Sequence, residues 1–107
     1  MRDDFAAWLA KTYKTRTCGR LVVAAQRDAV SRCRRVEASE GDLDTHYDRD
    51  EMHILLARFT FSRHDLAPAH QIEISGDVYN GTASLRNALR LYREFRQSSS
   101  NARVMRP

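Results

Sequence analysis

The stretch that decides the fold is 82–95, TASLRNALRLYREF. Leu85, Ala88, Leu89, Tyr92 and Phe95 recur there at steps of three and four, the spacing of one face of an α-helix. Thr82 can cap such a helix, and Asn80-Gly81 reads as the turn before it, so the pattern predicts a helix over 83–97. One apolar stripe is not stable in water alone and needs other stripes to cover it. Three more are found upstream. Met52, Leu55, Leu56 and Phe59 predict a helix over 49–61, opened by a capping box of Asp48 and Glu51. Val22, Ala25, Ala29, Cys33 and Val36 predict a longer one over 18–38, with Gly41 as its stop. Phe5, Trp8, Leu9 and Tyr13 predict a first helix over 3–14.

The joints follow from what remains. Residues 14–17 read as a polar connection and 39–47 as an acidic loop, with Tyr47 and Tyr79 in loops. Pro68 breaks any helix across 62–79. Residues 70–75 alternate, with Ile72 and Ile74 on one side, which predicts a short extended segment packed on the core without a strand partner. The expected fold is therefore mostly α: a compact bundle of four main helices over 1–97, followed by a disordered basic tail, 98–107. Its expected core is Trp8, Leu9, Val22, Ala29, Val36, Leu55, Leu56, Phe59, Leu85, Leu89, Tyr92 and Phe95.

A chain of 107 residues, 42% hydrophobic and 30% charged, suits one water-soluble domain. No apolar run approaches the ~20 residues of a membrane span. The first residues carry Asp3 and Asp4 where a signal peptide needs basic side chains, so the sequence predicts a cytoplasmic protein. Cys18 and Cys33, without a CxxC, are expected to be reduced thiols.

Catalytic and metal signatures are missing. His46, His53, His64 and His70 form no i, i+4 pair, so no zinc pattern arises. Asp42, Asp44, His46, Asp48 and Asp50 alternate as a calcium loop does. Tyr47 and His53 stand where that loop needs Gly and Glu, so a solvated acidic segment is the expectation. Neither GxSxG nor GxxxxGK[ST] occurs, and no cofactor is expected.

What remains is charge. Of the 18 basic residues 16 are arginine, the residue that forks onto phosphates and base edges. Residues 1–36 balance to +6, residues 37–53 to −6 and residues 54–107 to +4. Arg20, Arg27 and Arg34 repeat at heptad spacing on the second expected helix, and Arg86, Arg90 and Arg93 recur at i, i+4 and i+7 on the last. Such rows fit phosphates, though an amphipathic helix must place something polar outside in any case. Arg32 and Arg35 read as edge residues whose stems cover the core.

FxxWL at 5–9, SRCRRVEASEGDLDTHYDRDE at 31–51 and YNGTASLRNALRLYREF at 79–95 together resemble a small helical N-terminal domain found ahead of bacterial nuclease and restriction-type domains. The chain is distantly similar to the SAM-like core-binding domain of tyrosine recombinases and phage integrases, whose last helix closes on a related YxxF pattern. The resemblance implies a SAM-like fold and a DNA-associated module that helps to hold the duplex, with a nuclease domain as a possible neighbour. It does not imply recombinase activity, since no HxxR occurs here.

Two functions are expected on this basis. The first is a non-catalytic DNA-binding accessory module that contacts duplex phosphates through Arg20, Arg27, Arg34, Arg86, Arg90 and Arg93. The second is a protein-interaction or dimerisation adaptor that uses the acidic segment 37–51. Where the acidic block falls relative to the arginine rows separates them.

Overall fold

The computed structural model describes residues 1–11, 14–15, 19–20, 23–62, 65 and 67–104, with side chains described outside 14–20 and 99–104. Five helices are formed: α1 (Phe5–Lys11), α2 (Val23–Glu40), α3 (Leu43–Asp50), α4 (His53–Arg58) and α5 (Val78–Val104). Between α1 and α2, β1 (Lys14–Thr15) and β2 (Gly19–Arg20) make a two-rung antiparallel ladder, Lys14 opposite Arg20 and Thr15 opposite Gly19. The fold is mostly helical, as expected, but the described residues form five helices rather than four.

Four expected elements are corrected. Residues 14–15 are not a plain connection, and α2 starts at Val23 rather than 18, because Gly19 and Arg20 pair as a strand. The acidic loop is largely helix: Gly41, at φ 92°, stops α2 as expected, and α3 begins two residues later. Leu43 and Tyr47, one turn apart and both buried, give α3 its apolar stripe. The expected helix over 49–61 is consequently split. Glu51 (φ 55°) and Met52 (φ 68°) both adopt the left-handed conformation between α3 and α4. That conformation is strained for non-glycine residues, and here it carries the Met52 side chain to full burial. Asp48 lies inside α3, so the expected capping box does not form. Instead Asp50 Oδ2 accepts the Ile54 N–H at 3.0 Å.

α5 is longer than expected at both ends. Asp77, not Thr82, receives its first N–H groups, with Oδ1 accepting from Tyr79 N at 2.9 Å. Asn80-Gly81 lies within the first turns, and the backbone stays helical through 98–104, where a tail was expected.

α2 and α5 make the most extensive helix–helix contact. Cys33 and Ala88 lie in their seam, where the buried Cys33 thiol donates to Ala88 O at 3.4 Å. Phe5 closes the other end of the core, edge-on to Tyr92 at 5.0 Å and 5.5 Å from Phe95. Of the expected core, Leu9, Ala29, Val36, Leu55, Phe59, Leu85, Leu89, Tyr92 and Phe95 are buried. Trp8 and Leu56 are half-buried against it, and Val22 lies outside the described residues. Phe5, Cys33, Leu43, Tyr47, Met52 and Ala88 complete the core.

The segment 71–74 is extended, with Ile72 and Ile74 on the core as expected. Its anchor is Gly81, because a Cβ there would stand 2.3 Å from Ile74 Cγ2. Ile74 is thus seated directly on the α5 backbone. Gly81→Ala sets a helix-propensity gain of about 1 kcal/mol against a clash that costs about 1–3 kcal/mol. The expected outcome in urea unfolding is a net loss of stability, substantially recovered when Ile74→Ala is added. A stabilised Gly81→Ala would contradict this packing.

Candidate functional site

The acidic block is drawn to one corner. Glu37 Oε2 and Asp42 Oδ1 each accept from the Met1 amino group at 2.6 Å, and Asp44 lies 3.5 Å from it. Arg96 of α5 donates to Asp44 and, at 3.1 Å, to Asp48, while its guanidinium lies 4.5 Å over the Tyr47 ring. The Tyr92 hydroxyl donates to Asp44 Oδ1 at 2.5 Å and accepts from Arg2 N at 2.8 Å. Glu37 also accepts Leu43 N at 3.1 Å, so a carboxylate of α2 caps α3. Further along, Glu40 pairs with Arg58 at 3.0 Å.

The electrostatics agree with this geometry. Burial opposes the charge on the Met1 amine, but the bonds to Asp42 and Glu37 outweigh it and raise its pKa to about 10. The amine in turn lowers Asp42 to about 2. Burial, then the bond to Asp44, pushes the Tyr92 hydroxyl well above its ordinary value. Burial raises the Cys33 thiol to about 12, which makes it an inert packing group.

The α5 arginine row lies elsewhere, whereas Arg34 of α2 lines a small cleft with Met1 and Arg2 beside the corner. Arg86, Arg90 and Arg93 line a groove of about 320 Å³ with Leu56 and Thr60, on the α4 flank of α5. Arg27 and Arg34 line a second groove of about 390 Å³ with Val23, Val30 and Ala6, on the α1 flank of α2. Between the two runs the α2–α5 seam, bordered by Ala25, Ala29, Ser84, Asn87 and Leu91. The rows therefore do not merge into one groove. Arg20 belongs to β2 rather than α2, so the expected heptad row keeps only Arg27 and Arg34, and the Arg20 side chain lies outside the described residues.

Pairing differs sharply between corner and grooves. Among the described residues, Arg27, Arg34, Arg86 and Arg90 have no carboxylate within 4.0 Å. Arg93 reaches Glu51 only at 4.0 Å and donates to His53 Nε2 at 3.3 Å. Arg86 Nε and Arg93 Nε are buried and donate to no acceptor among the described residues. Sequence reasoning missed Leu56, Thr60 and His53 beside this groove. Their only signal was the α4 stripe, whose outer edge could not be placed without knowing that α4 packs on α5.

His70 is structural. It is buried and stacked on Phe59 at 4.7 Å. Its Nδ1 accepts from Ile72 N at 3.2 Å, which leaves Nε2–H to donate to Thr82 Oγ1 at 2.8 Å. No group of three or more His, Cys, Asp or Glu side chains among the described residues is placed to hold a metal ion, and no described helix is long and apolar enough to cross a membrane. The chain matches no protein-family model, no curated protein and no solved structure.

The corner and His70 titrate in separate windows. Met1 and Asp42 contribute fully between their ordinary values of 8.0 and 3.8. Burial lowers the His70 pKa below 6.5, with Glu40 opposing and Arg58 reinforcing. A depressed folded-state value means that the unfolded chain binds the proton first, so this contribution is present above pH 6.5 and lost as pH falls. Urea midpoints should therefore drop between about pH 7 and pH 5, and His70→Phe should flatten that slope whatever its effect on absolute stability. An unchanged slope in His70→Phe would refute the assignment.

Proposed function

We propose that the chain is a non-catalytic DNA-binding accessory module that holds duplex phosphates chiefly in the α4–α5 groove, through Arg86, Arg90 and Arg93. One observation carries this reading: Glu37, Asp42, Asp44 and Asp48 are paired at the Met1–Arg96 corner, and among the described residues Glu51, 4.0 Å from Arg93, is the one carboxylate near the groove arginines. A guanidinium row of i, i+4, i+7 spans ~10 Å along the helix, enough for two successive phosphates of one strand. Arg27 and Arg34, with Arg20 nearby in sequence, form a secondary basic surface across the seam. A SAM-like arrangement, and kinship with the helical domains that precede bacterial nuclease domains, belong to the same proposal. So does a place inside the cell.

The adaptor alternative draws less support, because Glu37, Asp42, Asp44 and Asp48 already hold internal cations and a basic partner would have to displace them.

The test is a duplex-DNA titration across salt concentrations. Two phosphates held by the α5 row give a log–log slope of about −2, whereas one phosphate for each of the six arginines would give about −5. Arg86/Arg90/Arg93→Gln should abolish binding, and Arg27/Arg34→Gln should weaken it only modestly. Salt-insensitive binding, or none at low salt, would retire the proposal.

A further inference from the structure

One sizeable cleft belongs to neither arginine groove. It measures about 720 Å³ and lies between α2, the extended segment and the first turns of α5. Ile72, Ile74 and Leu85 supply apolar wall, and Arg32 and Arg35 of α2 supply a cationic rim. A volume of this size falls in the ~300–1,000 Å³ range of ligand sites.

The wall made by the extended segment has an open edge. Gln71, Glu73 and Ser75 are exposed while Ile72 and Ile74 are half-buried, the alternation of a strand with one face on a core. Among the described residues, no backbone–backbone hydrogen bond joins 71–75 to any other segment. Two of its backbone groups are met by side chains instead. His70 takes the Ile72 N–H, and Arg35 Nη2 donates to Glu73 O at 2.8 Å. Arg35 thus fills the role that an N–H from a neighbouring strand would have in a ladder. Among the described residues the second rim arginine, Arg32, has one ion-pair partner, Asp28 at 4.0 Å.

We propose that this cleft docks an extended peptide of a partner protein. The peptide adds as a strand beside 71–75, takes Glu73 O over from Arg35, and sets one acidic side chain on Arg32 and the Arg35 guanidinium so released. Strand addition draws affinity from main-chain bonds and specificity from alternate side chains, and both are provided here. Apolar peptide residues meet Ile72, Ile74 and Leu85. A carboxylate suits the paired guanidinium groups, which can fork onto it. The Glu73 carboxylate, exposed and in no ion pair among the described residues, repels a run of acids and so restricts the motif to an isolated one. Nucleic acid would leave both the open backbone edge and the apolar wall unused.

The full chain, isotopically labelled, is titrated with the end-blocked peptide Val-Thr-Val-Glu-Val-Thr while backbone amide signals are followed. The signals of 71–75 should shift and gain exchange protection. Arg32→Gln should weaken binding about fivefold, and replacement of the peptide Glu by Lys should weaken it further. N-methylation of alternate peptide amides should abolish binding. Arg35→Gln also removes a brace on Glu73 O, so Arg32→Gln, which among the described residues removes one ion pair at 4.0 Å, keeps the test free of misfolding. The proposal is overturned by no shift at millimolar peptide, by shifts confined to other surfaces, or by undiminished binding of the N-methylated peptide. Duplex DNA shifting the same amides would equally overturn it, assigning the cleft to nucleic acid.

Discussion

The carboxylate of Asp44 is the interaction on which the rest of this molecule depends. It receives the Tyr92 hydroxyl and the Arg96 guanidinium from α5 and lies 3.5 Å from the Met1 amine. A buried hydroxyl and a largely buried guanidinium each need an acceptor. Asp44 meets both needs at once and so fixes α3 against α5. Arg96 cannot lose its charge in this setting: burial opposes it, but the bonds to Asp44 and Asp48 outweigh burial and raise its pKa. Seven acidic side chains in 37–53 would repel one another in a loop. Folded as the end of α2 followed by α3, that block meets its counter-charges.

The consequence is a segregated surface. Once Met1, Arg96 and Arg58 have taken the acids, few carboxylates remain to cover Arg86, Arg90 and Arg93. The α2–α5 seam then separates this groove from Arg27 and Arg34. A net charge of +4 understates the field that a polyanion would meet beside α5. The extended segment is a third feature, held down by Gly81 and His70 while one backbone edge stays open.

The sequence made legible whatever depends on period alone. The stripes of α1, α2 and α5 and the alternation at 71–74 could be read directly, because an apolar face must be buried whatever covers it. α3 could not be read that way. Its stripe is only Leu43 and Tyr47, and the acids between them look like a loop until Arg96 and Met1 are known to be close. The break at Glu51 and Met52 was equally hidden, since nothing local favours two successive left-handed residues. Only the burial of Met52 explains them. Thr82 resembled a cap but is buried under His70, and Asp77 caps α5 instead. For the candidate site, the individual arginines could be named, but their grooves could not, because a groove needs two helices and sequence spacing describes one. The two-rung ladder that takes Arg20 out of α2 rests on pairing between segments, which periodicity does not report.

A double-mutant cycle of Asp44→Ala and Arg96→Ala, read by urea unfolding at neutral pH, tests the central claim most directly. The account predicts a coupling of about 2 kcal/mol, because each single substitution strands the other group in a partly buried site. A coupling below about 0.5 kcal/mol, the ordinary scatter of additivity for independent sites, would contradict it. The acidic segment would then not be fixed to α5 by this pair, and the bareness of the arginine groove would lose its physical cause.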